Sequence, residues 1–196
     1  MALRVLKQQA ETPVGGGSKN FPKGTWRFTI ISPAEYGKER TRPTPEFMHN
    51  GATTPGDKTP RCSGDDGEIL SIWLGNAEAV GDGQDSPGDM KFFQDFVIRD
   101  GASDISSIDL DNPGSAGWQI QRDARLLANL AIALGATTEV TQGKLTYVDV
   151  VENFVELLQA GSFDGQQVIA TVDHRAWKSK AGKEGVEVFI TGFEAA

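Results

Sequence analysis

With 196 residues, 38% hydrophobic and 23% charged, the chain is long enough for one proper core and too apolar to be disordered. No apolar run approaches the ~20 residues of a membrane span, and the first residues lack the apolar centre of a secretion signal, so a single cytoplasmic domain is expected. The formal net charge of −8 argues against a nucleic-acid partner only until its distribution is followed: residues 1–64 carry +5, residues 65–116 carry −10 and residues 117–196 carry −3. Such asymmetry predicts separate basic and acidic surfaces. Cys62 stands alone, which excludes an internal disulfide, and with only His49 and His174 there is no Cys/His spacing for a structural zinc. No cofactor or metal is expected.

Residues 1–20 contain Pro-Val-Gly-Gly-Gly-Ser and read as a flexible arm carrying Arg4 and Lys7, ahead of one domain over residues 21–196. From Gly24 the stretch TWRFTII alternates, with Trp26, Phe28 and Ile30 on one face and Thr25, Arg27 and Thr29 on the other, which is a half-buried strand. Residues 32–66 hold five prolines and no sustained period, so they read as one long loop. Its basic groups Lys38, Arg40, Arg42, Lys58 and Arg61 are diluted by Glu35, Glu39, Glu46 and Asp57. The loop is either solvated or a binding loop.

EILSIWL is the next strand, with Leu70, Ile72 and Leu74 toward the core and Ile69, Ser71 and Trp73 away from it. Trp73 is then either a platform for a base or a residue covered by a loop or helix. KFFQDFVI is the third strand, flanked by acidic loops at residues 78–90 and 99–116. Neither loop has the residue order of an EF-hand.

WQIQRDARLLANLAIALG predicts a helix from Trp118, ended by Gly135 as a left-handed cap. Ile120, Leu127, Leu130, Ala131 and Leu134 share one face, and Arg122, Arg125 and Asn129 take the opposite one. Asp123 lies near the apolar arc, either as a first-turn carboxylate favoured by the helix dipole or as a catalytic group. A second helix is expected over VDVVENFVELLQA, opened by a Thr146/Asp149 capping pair and closed by Gly161. Its wide apolar arc implies packing on two sides.

QQVIATV and VEVFITGF both alternate and predict a long closing hairpin. Between them, His174, Arg175, Trp177, Lys178, Lys180 and Lys183 crowd the tip. Phosphates want cations and a base wants an aromatic face, so the combination suits a single nucleic-acid strand; lysines also guard exposed strand tips without any ligand. The order of elements predicts an α+β chain: an OB-like five-stranded, partly open antiparallel barrel with a helix pair inserted before the C-terminal hairpin.

PKGTWRFTI, WQIQRDARLLANLAIALG and GQQVIATVDHRAWKSKAGKEGVEVFITGF together resemble a phage-encoded family of small OB-like single-stranded DNA-binding proteins found among replication and recombination functions. The resemblance implies an OB-like binder of single strands at work in phage DNA replication or recombination. On the residues themselves, the expected groove consists of Arg27, Trp73, Arg175, Trp177, Lys178, Lys180 and Lys183, with Arg40 and Arg42 closing over the strand from the long loop. A replication or recombination protein at the acidic surface and a homo-oligomer are further expected partners. The alternatives are an acidic protein-interaction or DNA-mimic module and a phage virion or assembly protein. Enzyme chemistry is not expected: there is no G-x-S-x-G, P-loop or G-x-G-x-x-G after a strand, and the Asp65–Asp66 pair and the scattered acidic loops are all that hints at metal-dependent nuclease chemistry.

Overall fold

The computed structural model describes residues 4–6, 21–36, 40–43, 67–81, 87–100, 103–110, 118–178, 182 and 184–196. Their order is β1 (Arg4–Leu6), β2 (Gly24–Ile31), α1 (Pro33–Tyr36), β3 (Thr41–Pro43), β4 (Gly67–Ala79), β5 (Phe92–Asp100), β6 (Ser103–Asp104), α2 (Trp118–Ala133), β7 (Thr137–Gln142), β8 (Leu145–Val150), α3 (Phe154–Gln159), β9 (Gln167–Lys178) and β10 (Glu184–Ala195). Every pairing among these strands is antiparallel. The main sheet runs β10-β9-β2-β4-β5-β6, with β3 also on β4, and a smaller sheet runs β1-β8-β7. The chain is therefore α+β and mostly antiparallel sheet.

Alternation builds the centre of that sheet. Trp26, Phe28 and Ile30 of β2 are buried, as are Val168, Ala170 and Val172 of β9 beside them. Phe21 caps this face, its ring 5.4–5.7 Å from those of Trp26, Phe28 and Phe92. Each such side chain removed from water contributes about 1.5–3 kcal/mol. β4 departs from the alternation: Ile69, Leu70, Ser71, Ile72, Trp73 and Leu74 are all buried, so both of its faces are covered.

The sheet is bent. β4 carries an extra residue against β2, where Asn76 takes a left-handed conformation at φ 51°, and β10 carries one against β9 between Ile190 and Gly192. Such bulges turn a strand and increase its twist. Helix α2 shows how far the bending goes, because it touches both β5 and β10, near the two sides of the sheet. Asp123 accepts the amide N–H of Val97 in β5 at 2.8 Å, and Asn129 accepts that of Phe193 in β10. These two residues are only about 9 Å apart along a helix axis, whereas a flat sheet would hold β5 and β10 ~19 Å apart. The sheet therefore curls toward one helix, which satisfies one backbone donor on each side.

Several expectations are corrected here. Asn129 is not on a solvent face; it is 8% exposed and bonded to β10. Asp123 lies past the first helical turn, so it caps a strand amide rather than its own helix. Residues 145–150 are strand β8, not the first turns of a helix, and α3 is confined to Phe154–Gln159. The β-branched run around Val148 and Val150 pairs with β7 instead, and the apolar arc looked wide because it summed a strand and a short helix. Within the expected long loop, α1 and β3 are ordered elements; residues 44–66 lie outside the described residues.

Candidate nucleic-acid interface

β2 pairs with β9 only as far as Val172, opposite Gly24. β9 and β10 continue beyond that point as a two-stranded ribbon, from Asp173 opposite Phe189 to Lys178 opposite Glu184. Strand alternation assigns its faces. His174, Ala176 and Lys178 continue the face that carries Val168, Ala170 and Val172 into the core, together with Glu184, Val186 and Val188. The outer face carries Asp173, Arg175 and Trp177 opposite Phe189, Glu187 and Gly185.

The foot of the ribbon is anchored. Lys23 lies 2.7 Å from Asp173, and the His174 ring nitrogen Nε2 lies 2.8 Å from the Phe21 carbonyl. The hydrogen bond from Lys23, helped by the backbone N–H of His174, holds the Asp173 carboxyl below the usual carboxylate range. Further out the ribbon is exposed. Trp177 is 46% exposed on the outer face and Val186 56% on the other.

Gly185 explains how Trp177 is held there. The indole leans across the ribbon onto this glycine, so closely that a Cβ at position 185 would meet ring atoms at 2.7–2.9 Å. Next to it, Arg175 donates from Nη2 and Nε to Glu187 Oε2 at 2.5 and 3.2 Å, and its guanidinium lies 5.6 Å from the centre of the Phe189 ring. On the other face Lys178 Nζ meets Glu184 Oε1 at 2.5 Å. Ala176, Trp177, Lys178, Glu184, Gly185 and Val186 line an open hollow of about 590 Å³. The Lys178–Glu184 pair is solvent-exposed on both sides, where such pairs are worth about 0–1 kcal/mol, so an incoming phosphate can replace its carboxylate.

The structure brings together Arg175, Trp177 and Lys178 of the expected groove and separates others from them. Arg27 shares the outer face but pairs with Ile169, about 27 Å of strand from Trp177, and it faces Glu78 at 3.5 Å. Trp73 is 7% exposed, packed 5.3 Å from the Phe93 ring, and offers no open platform. Arg40 is 4% exposed and bonded to the carbonyls of Leu158 and Ile31 and to Asp164, so it cannot close over a strand. Its burial follows from position: it stands immediately before β3, directly against β4, where its own carbonyl accepts the Ser71 N–H at 2.7 Å. Arg42 stands in β3 opposite Ile69, and Lys180 and Lys183 lie outside the described residues.

Glu187, Phe189 and Gly185 were not singled out from sequence. Their alternation is visible there, but which of them faces Trp177 depends on the hairpin register. The buried carboxylate of Asp123 is not at this surface. Burial raises its pKa above the ordinary carboxylate value, against the opposing pull of Arg122 at 2.6 Å. Among the described residues no group of three His, Cys, Asp or Glu side chains is placed to hold a metal ion, and no helix is long and apolar enough to cross a membrane. Comparisons with protein families, with curated proteins and with solved structures return no match to this chain.

Proposed function

We propose that the protein is a non-enzymatic binder of single-stranded DNA, largely indifferent to sequence, and that the β9–β10 ribbon is its contact surface. The observation that carries this reading is Trp177: an indole 46% exposed, held in place by a glycine, with an arginine on its own face of a projecting ribbon and a lysine on the other. A stacked base contributes roughly 1–3 kcal/mol, and nearby cations add a sequence-independent, salt-sensitive attraction. The open, curled antiparallel sheet supports an OB-like architecture for the domain, and the family resemblance supports a setting in phage DNA replication or recombination.

A fluorescence titration with oligo-dT, beside duplex DNA of equal length and at two salt concentrations, tests the proposal. Quenching by the single strand that weakens with salt is the expected result. Absence of binding to either nucleic acid at low salt would overturn it.

A further inference from the structure

Arg175 is the residue that charge counting would assign to a phosphate. Its surroundings give it another use. Two of its donors are taken by one carboxylate oxygen of Glu187, which neutralises it locally, and its guanidinium lies over the Phe189 ring. That leaves a plane held by a carboxylate on one side and a phenyl ring below, two residues along the strand from Trp177. Side chains so spaced stand about 7 Å apart, which is roughly twice the 3.4 Å per nucleotide of a stacked strand. Trp177 leans on Gly185, which leaves it without a bulky cross-strand neighbour.

We infer that the outer face of the ribbon is a base-recognition platform in which one unpaired nucleobase packs against Trp177 beside the guanidinium plane of Arg175. Phosphate charge is met by other groups. Arg175 acts here through its planar, ordered shape rather than its charge, as guanidinium planes do when bases splay out of a strand. Glu187 and Phe189 are positioning residues for that plane, and Gly185 is the positioning residue for the indole. A duplex offers this face no free base, so the platform selects single strands. The inference rests on the single-strand reading above and deepens it.

Arg175→Lys separates shape from charge. In salt-dependent titrations with oligo-dT, Arg175→Lys and Arg175→Ala are expected to weaken binding alike, by at least about five-fold, with the dependence on salt unchanged. Gly185→Ala, whose new Cβ displaces the indole, is expected to match Trp177→Ala. An Arg175→Lys protein that binds as the wild type does, or an Arg175→Ala protein whose salt slope falls by about 0.7, would make Arg175 an ordinary phosphate contact and overturn the platform. Either result would leave single-strand binding itself standing, whereas a wild-type protein that fails to bind would remove both.

Discussion

Arg40 and Arg175 are the same residue type put to opposite uses. Both stand on or beside a strand, and the sequence around each is rich in charge. Arg40 is trapped immediately before β3, against the long strand β4, so its guanidinium is 4% exposed and ties Ile31, Leu158 and Asp164 together. Arg175 lies beyond the point where β2 stops pairing with β9, and its side chain is 68% exposed. What separates them is the length of the neighbouring strand, which no count of lysines and arginines contains. Exposure is decided by packing partners, and a charged side chain is open to a ligand only where those partners run out.

The largest effect expected from that contrast is in stability. Arg40→Ala leaves the buried carbonyls of Leu158 and Ile31 and the partly exposed Asp164 carboxylate without their donor, and should cost about 1–3 kcal/mol for each buried carbonyl left unpaired in urea unfolding. Arg175→Ala, at an exposed pair, should cost less than about 1 kcal/mol. Similar costs for the two would erase the distinction. The hairpin carries the same contrast along its own length: Ile190→Ala at the buried foot should cost about 2–5 kcal/mol. Val186→Ala on the ribbon should stay within ~0.5 kcal/mol.

A smaller effect is expected from pH. Burial raises the folded pKa of Asp123, so its ionisation opposes folding: the favourable contribution is full below the unfolded value of about 3.9 and is lost as pH rises through the raised folded value. Asp123→Asn keeps an acceptor for Val97 and cannot ionise. Relative to that variant, the wild type should lose stability as pH climbs above the ordinary carboxylate range. A difference that stays constant with pH would show that the Asp123 pKa is the same in the folded and unfolded states.

Much of this arrangement is legible in the sequence, and the failures have physical causes. The alternation of TWRFTII and of the two hairpin arms identifies β2, β9 and β10, and helical spacing with Gly135 identifies α2, whose last turn ends at that glycine with φ +69°. Asn129 is buried although it lies opposite the apolar stripe, because a helix against a curled sheet meets protein on more than one side. Thr146 and Asp149 mimic a capping pair, yet Gly143 at φ +67° makes a tight turn that pairs TTEVTQ with LTYVDV. That glycine after a β-branched alternating run was the available signal. Trp73 could not be placed from sequence, since the face it occupies is covered by contacts distant in the chain.

The central claim, that the exposed ribbon is the binding surface, rests most directly on one comparison: oligo-dT affinity of Trp177→Ala against Val186→Ala, two apolar truncations on the same ribbon. The account predicts that Trp177→Ala weakens binding by about 1–3 kcal/mol while Val186→Ala leaves it near the wild-type value. Wild-type affinity in the Trp177→Ala protein would contradict it and move the binding surface elsewhere on the molecule.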